Sequence, residues 1–232
     1  MEEKKEDISK ESTAEIPDSW AEYLRDRVYL KLKEILEKNN RLDLLDLAYT
    51  VVKELVVNAT KALMKRIFFV EQGLDIDNPE DWEKGTAMFK EKIKESCLKD
   101  YLLKAQALNF KVKVRYIYNK DGLSVEVINN APIPPIDEKR MREKLKTSMS
   151  YDSLADFYAD HADNLEGSGI GLAFIIIMLK NQGFDPQYLR IGNQNEETVA
   201  RVEFPFTPNY VPIRERKYQQ MMQNIERQTV EI

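Results

Sequence analysis

The chain has 232 residues, of which 43% are hydrophobic and 32% charged, a composition typical of one generous soluble domain. The net charge of -5 argues against general nucleic-acid binding, because phosphate backbones favour basic surfaces. The single cysteine, Cys97, excludes an internal disulfide framework and fits a reducing cytoplasm. The single histidine, His161, excludes a three-histidine zinc site, and one cysteine excludes CxxC zinc sites.

The first 15 residues and the most apolar run of the chain do not predict membrane insertion. Residues 1–15 are charged and lack the apolar core of a signal peptide. The longest strongly apolar run, residues 170–179, is too short to span a bilayer. We therefore expect a cytoplasmic protein without a membrane segment.

The first half of the chain is predicted to be mainly helical. Residues 1–16 are acidic and nearly free of large apolar groups, which predicts a disordered tail. Apolar residues at helical spacing predict one helix from about Asp18 to Lys38 and a second from Leu42 to Phe69. A loop is expected at 71–85, followed by a third helix at 86–107.

The second half adds two strand pairs around one very apolar helix. Alternating side chains predict a hairpin from 110–118 and 123–127, joined by Lys120-Asp121-Gly122. A polar stretch with short helical pieces precedes a buried helix that ends near Asn181. A closing strand pair is expected at 188–191 and 199–206, then a charged helix at 213–228.

This order of elements favours an α+β two-layer sandwich over a doubly wound fold. We expect a mixed, mostly antiparallel sheet with helices on one face. The domain would span 17–208, with an N-terminal helix and an inserted helix near 86–107, and 209–232 would be a helical extension.

The first candidate site lies on the second predicted helix. Glu54, Asn58 and Lys61 are separated by four and three residues, so they share one face of a mostly apolar helix. The spacing alone is more typical of a solvated charged stripe with an i,i+4 contact.

The second candidate site is a glycine-rich turn that leads into the apolar helix. Glycines permit close backbone approach, and a helix start offers free N–H groups and a positive dipole end, which together suit a phosphate. The turn is not a P-loop, because no GK[ST] follows. A Rossmann interpretation is weak, because a polar loop precedes the turn and no ribose-binding acid follows about 20 residues on. The remaining alternative is a flexible loop before a helix.

The third candidate site is Asn129-Asn130 at the end of a predicted strand, followed by a proline-rich turn. Amides at a strand end can donate to and accept from a purine edge. A simple asparagine–proline turn is the alternative.

Taken in order, these segments resemble the GHKL superfamily, which includes sensor histidine kinases and anti-sigma-factor kinases. The segment at 54–62 resembles the family's N-box, the segment at 127–134 its first glycine box, and the segment at 166–172 its second. Residues 198–205 resemble the closing strand. The resemblance covers roughly Leu42 to Pro205 and implies a Bergerat-type (histidine-kinase-like ATPase) sandwich.

The resemblance implies a role for each candidate residue. Asn58 would bind Mg²⁺ of Mg·ATP, Lys61 would meet phosphate oxygens and Glu54 would act as a general base. Asn129 stands where the family has an aspartate that accepts from the adenine amino group, and Thr198 would lie near the adenine. The ATP lid would be 137–166, and the phosphate turn would consist of Gly167, Ser168, Gly169, Ile170, Gly171 and Leu172.

Two departures from the family pattern are visible in the sequence. Asn129-Asn130-Ala131-Pro132 stands where a DNGxG-like run is expected, and Glu197 replaces the glycine expected before Thr198. An amide oxygen can still accept a hydrogen bond, but it brings no charge.

Three functions follow from the resemblance. The leading one is a phosphotransferase that acts on a histidine or serine of a separate partner protein, because His161 falls in the lid and not on a dimerisation helix. The alternatives are an ATP-dependent switch with slow hydrolysis and a non-catalytic, nucleotide-responsive interaction module. The terminal helices at 19–38 and 213–228 could bind a partner or a second copy, or pack on their own domain.

Overall fold

The computed structural model describes residues 8–13, 24–92, 98–161, 170–216 and 218. The helices are α1 (Leu30–Lys38), α2 (Leu45–Gln72), α3 (Pro79–Lys92), α4 (Leu98–Ala107), α5 (Pro135–Ser148), α6 (Leu154–His161) and α7 (Ile170–Asn181). The strands are β1 (Ile8–Thr13), β2 (Val112–Asn119), β3 (Gly122–Asn129), β4 (Leu189–Gln194) and β5 (Glu197–Pro205). None of the helices in these ranges is long and apolar enough to cross a membrane.

The five described strands form one sheet in the order β1-β2-β3-β5-β4, and every neighbouring pair is antiparallel. The α+β class is confirmed, but the expectation of a mixed sheet is wrong for this part of the chain. Tight hairpins account for the β2–β3 and β4–β5 pairs, because a short turn can join only antiparallel neighbours. The β1–β2 and β3–β5 pairs are joined by long connections and are antiparallel as well. Asn119 builds the first turn by accepting from the N–H groups of Asp121 and Gly122 at 2.9 and 3.1 Å.

The edge strand β1 lies inside the segment that the sequence predicted as a disordered tail. Its main chain pairs with β2 from Ile8 opposite Tyr118 to Thr13 opposite Lys113. Ladder hydrogen bonds use backbone groups, so an edge strand can form from a polar sequence that has no apolar alternation. Residues 1–7 and 14–23, including the predicted helix start at Asp18, lie outside the described residues.

The main core lies between one face of the sheet and helices α1, α2 and α7. Leu123, Val125 and Val127 of β3 point into it and are at most 1% exposed. The predicted second helix is confirmed as α2, which ends at Gly73, where the left-handed backbone (φ 64°) suits a glycine. Helices therefore pack on the face of the sheet that carries the apolar side chains.

The alternate side chains of the same strands carry a row of charges on the other face. Arg115 Nη1 lies 3.2 Å from Glu126 Oε2, and Arg201 Nη1 lies 3.8 Å from Glu126 Oε1. Arg201 Nε lies 3.2 Å from Glu203 Oε1. Because successive side chains of a strand point to opposite faces of the sheet, the same strands carry charged residues on this face and apolar residues on the face that packs against the helices.

A second core cluster contains α3 and α4, which pack on the C-terminal half of α2. The prediction of a single helix at 86–107 after a loop is wrong here, because α3 already begins at Pro79. Asn78 accepts from the N–H groups of Glu80 and Asp81 at 3.0 and 3.2 Å, so Asn78-Pro79 is a helix start and not a loop. Residues 93–97, with Cys97, lie outside the described residues.

The terminal extension is described only at its beginning. A helical turn covers residues 213–216, and beyond it only residue 218 is described. The proposed helix at 213–228 and its role in a homodimer stay predictions.

Candidate functional site

Helix α2 presents the predicted polar stripe along one face. Glu54 and Asn58 are half-buried and Lys61 is exposed, whereas Leu55 and Val56 beside them are buried in the main core. Because the apolar face of α2 packs in the core, the rotation of α2 about its own axis is fixed, and the polar stripe is held on a defined side of the helix.

The first turn of α7 lies directly against Glu54. A Cβ atom added to Gly171 would overlap the Glu54 carboxylate, with Cδ only 2.7 Å away. Glycine is therefore needed at this position for α7 to approach α2 while the Glu54 carboxylate stays in place. Two candidate segments that are more than 100 residues apart in sequence thus meet at one place.

The end of β3 brings a buried amide to the same stretch of α2. Asn129 is 4% exposed, and its Nδ2 donates to the main-chain oxygen of Ala59 at 3.1 Å. Its Oδ1 is buried without a hydrogen-bond partner among the described residues, and so is Asn58 Nδ2. Buried polar atoms without partners cost free energy, so a hydrogen-bonding partner at either atom would be stabilising.

Thr198 lies beside Asn129, because the two residues are paired across β3 and β5. Its hydroxyl and its N–H both donate to the Ala131 oxygen, at 2.7 and 3.1 Å. Thr198 thus holds the chain segment that follows Asn129 against the sheet.

The other asparagines of this region stabilise the proline-rich turn. Asn130 accepts from Lys111 N–H at 2.7 Å and donates to the Asn109 oxygen at 2.7 Å. Asn193 accepts from the Ile133 N–H at 2.7 Å and donates to the Ile133 oxygen at 3.2 Å. The asparagine–proline turn therefore exists, but only Asn130 belongs to it, whereas Asn129 points to α2.

The glycine turn itself is only partly described. Gly167, Ser168 and Gly169 lie outside the described residues. Ile170 and Leu172 are half-buried at the start of α7, and Leu172 packs against the main core.

The predicted lid at 137–166 contains most of α5 and all of α6, and its residues 162–166 lie outside the described ranges. Lys180 of α7 donates to the main-chain oxygens of Met149 and Tyr151 at 3.0 and 2.8 Å, which ties the α5–α6 connection to α7. His161 stacks on Phe157, with ring centroids 4.5 Å apart. The imidazole is therefore packed within the lid.

A metal ion at this site would need other ligands in addition to protein side chains. No group of three or more histidine, cysteine, aspartate or glutamate residues in the described ranges could hold a metal. Magnesium usually keeps several waters and phosphate oxygens and takes only one or two protein ligands. One protein ligand is compatible with that chemistry, and Asn58, whose Nδ2 is buried without a hydrogen-bond partner among the described residues, is the ligand that the sequence predicts.

Further charged residues, which were not predicted from the sequence, continue the polar stripe on α2. Lys65 lies one turn beyond Lys61 on the same face, and its Nζ pairs with Asp137 of α5 at 2.9 Å. The same carboxylate accepts from the Trp82 indole N–H at 3.0 Å. Spacing of three and four residues from Asn58 through Lys61 to Lys65 was the available signal.

No protein-family model and no solved structure matches the chain. One similar protein is an uncharacterized protein from Treponema pallidum (strain Nichols), which is 36% identical over 154 residues. The aligned region covers 66% of this chain and 30% of the relative, so the chain spans less than a third of the relative's length.

Proposed function

We propose that this chain is a Mg·ATP-binding domain of the GHKL type that transfers phosphate to a separate partner protein. The observation that carries the proposal is the pair of buried amide atoms without partners among the described residues, Asn58 Nδ2 and Asn129 Oδ1. Asn58 precedes Ala59 in the chain, and the Asn129 amide donates to the Ala59 oxygen. Their neighbour Glu54 meets the first turn of α7 at Gly171. A purine nucleotide would supply the missing partners for both amides.

Asn129 would recognise the base. Its Nδ2 donates to the Ala59 oxygen, which fixes the orientation of the amide, and its Oδ1 is left without a partner among the described residues. An exocyclic amino group is the donor that this oxygen needs, and adenine has one whereas guanine presents a carbonyl at the same ring position. The uncharged amide thus performs the acceptor role that an aspartate has in the family.

Asn58 and Lys61 would hold the phosphates. A magnesium ion supplies charge neutralisation and orientation of the triphosphate when it is bound. The Asn58 amide would be its protein ligand, and the exposed Lys61 ammonium would reach phosphate oxygens from the next turn of α2. The positive end of α7 lies against Glu54 and would face the same phosphates.

Glu54 would act on the phosphoacceptor. Its carboxylate would accept the proton of a serine hydroxyl, or orient a histidine ring, while the terminal phosphate moves to the acceptor and ADP leaves. The acceptor would be in another protein, because the only histidine of the chain, His161, is stacked on Phe157. The single cysteine and the need for ATP favour a cytoplasmic location.

A second candidate is an ATP-dependent switch with slow hydrolysis. The tie between Lys180 of α7 and the α5–α6 connection favours it, because a ligand at the start of α7 would act on the lid through these hydrogen bonds. Phosphate release without a labelled protein, abolished by Glu54→Ala, would identify the switch.

Calorimetric titration of ATP with and without Mg²⁺ tests the nucleotide site. We expect Asn58→Ala to lose the magnesium-dependent part of binding, and Lys61→Ala to weaken binding. Lys53→Ala is the matched control, because Lys53 is equally exposed on another face of α2. Identical curves for the wild type and Asn58→Ala would refute the metal assignment, and labelled ATP with candidate partners would then separate transfer from hydrolysis.

A further inference from the structure

The face of the sheet that points away from the helices, which we call the outer face, is buried. Ile128 of β3 is 2% exposed, and Val199, its partner on β5, is 7% exposed. Neither residue belongs to an apolar cluster formed by the described residues. Neighbours within one sheet shield a side chain only from its flanks, so a second layer covers these two residues.

Polar groups of the outer face are buried as well. Ser124 is buried, and its hydroxyl has no hydrogen-bond partner among the described residues. Glu126 and Arg201, which belong to the charged row, are also buried. A buried hydroxyl without a partner costs free energy, so a polar group in the second layer would be stabilising. The outer face therefore suits an occupant that has both apolar and hydrogen-bonding side chains.

The chain that follows β5 enters the outer face at Glu203. The Tyr210 hydroxyl donates to Glu203 Oε2 at 2.6 Å, and the Ile213 N–H donates to the same oxygen at 2.9 Å. A Cβ atom at Gly122 would overlap the Tyr210 ring, so the ring lies directly on the start of β3. Residues 207–216 thus begin a second layer on this side of the sheet.

We propose that the C-terminal extension, residues 217–232, continues this layer and covers the outer face of its own chain. The extension follows directly on residue 216, on the face that needs an occupant. Glu203 and Val199 are four residues apart on β5, which corresponds to roughly 13 Å. A helix of about nine residues that starts at Ile213 has the same length, so the extension can reach the far end of the face.

The sequence of the extension offers both kinds of side chain that the outer face requires. On a helix that continues from Ile213, the face of this first residue also carries Gln220, Met221 and Asn224. Ile213 is buried, whereas Tyr218, on another side of such a helix, is exposed. Methionine adapts to apolar surfaces, and an amide can donate to or accept from a buried hydroxyl.

Thiol labelling of the full chain tests the proposal. Val199→Cys in a Cys97→Ser background has one thiol, which lies on the outer face. We expect this thiol to react at least about tenfold more slowly than the same thiol in a chain shortened to residues 1–216, because labelling of the full chain requires the second layer to open.

Gly192→Cys in the same background is the matched control. Gly192 of β4 pairs with Val199 and lies on the same face, but no described atom lies within 4 Å of its Cβ position. Its thiol should therefore react at equal rates in the full and the shortened chain. Circular dichroism and urea unfolding establish that each protein is folded.

If the shortened chain is not folded, Tyr210→Ala in the full chain takes its place, because this change removes the bond to Glu203 and the ring on Gly122. Equally fast labelling of Val199→Cys in both chains would overturn the proposal. Protection that persists in the folded shortened chain would also overturn it and would assign the cover to another segment. Protection that appears only as the protein concentration rises would overturn it in favour of a second copy.

Discussion

At the scale of single residues, Asn129 joins the sheet to helix α2 through its Nδ2 and leaves its Oδ1 for the proposed nucleotide. Its amide donates to the Ala59 oxygen, and its own oxygen is buried without a partner in the described chain. An aspartate at this position would have no proton to donate to the Ala59 oxygen. The residue that departs from the GHKL pattern is therefore the one that this packing requires.

Asn129→Asp consequently tests the packing role of the amide. We expect it to lower the free energy of unfolding by about 1–3 kcal/mol, because a buried carboxylate would face the Ala59 oxygen. Urea unfolding at neutral pH measures the loss. Asn130→Asp is the comparison, because Asn130 is half-exposed, where solvent reduces the penalty. An unchanged or increased stability of Asn129→Asp would show that the hydrogen bond to the Ala59 oxygen does not stabilise the fold.

The ammonium of Lys144 predicts a particular pH dependence of stability. Its pKa is lowered by burial, Arg140 and Lys90 from the usual 10.5 to about 8. Between these values the unfolded chain binds the proton more tightly than the folded chain, so stability rises with pH across this window. Below about pH 8 both states are charged, and the full penalty for burying the charge applies.

We therefore expect the difference in stability between the wild type and Lys144→Met to change from pH 7 to pH 10. The wild type should gain relative to the variant as the pH rises through 8, because only the wild type loses a buried charge in this range. Urea unfolding at several pH values measures the difference and cancels titrations common to both proteins. Parallel curves would show that Lys144 has an ordinary pKa.

The sequence predicted the candidate site only where its residues share one element. Glu54 and Asn58 could be placed on one face because helical spacing alone determines it. The contact of Gly171 with Glu54 and the bond from Asn129 to Ala59 depend on how α7 and β3 are positioned against α2. A family resemblance can suggest such contacts between distant segments, whereas periodicity carries no information about them.

At the scale of elements, helices and strands with a strong apolar repeat were predicted well. The start of α3, which depends on a capping residue, and the polar strand β1 were not predicted. Helix α2 and the β2–β3 hairpin were recognised because their apolar faces repeat at the helix and strand periods. Helix α3 was missed at its start because Pro79 was taken for a loop residue, although Asn78 caps the helix. The strand β1 was missed because its pairing is a property of the backbone.

The packing of α3 on α2 depends on one small residue, Gly85. A Cβ atom there would lie 2.5 Å from Cζ of the Phe69 ring, which is 1% exposed in the second core cluster. Gly85→Ala should lower the free energy of unfolding by about 1–2 kcal/mol, because overpacking outweighs the gain in helix propensity of roughly 0.5–1 kcal/mol.

Thermal or urea unfolding measures the effect of Gly85→Ala. The double variant Gly85→Ala, Phe69→Leu is the control, because removing the ring should restore part of the loss if the clash is its cause. A more stable Gly85→Ala would mean that α3 can move away from α2 without penalty.

At the scale of the whole molecule, α2 connects two cores. Its first half packs in the main core with the sheet, and its second half packs in the cluster formed with α3 and α4. The candidate nucleotide site lies near the middle of α2. The proposed nucleotide would therefore bind near the place where the two cores meet.

The two cores should differ in how easily they open. The main core is built from α1, α2, α7 and the sheet, whereas the second core cluster consists of a helical pair on one end of α2. Local unfolding follows units with fewer long-range contacts, so α3 should open without the sheet. We expect amide hydrogens of α3 to exchange about tenfold or more faster than those of β3, measured by hydrogen exchange with mass spectrometry under native conditions. Equal exchange in α3 and β3 would mean that the two cores unfold as one cooperative unit.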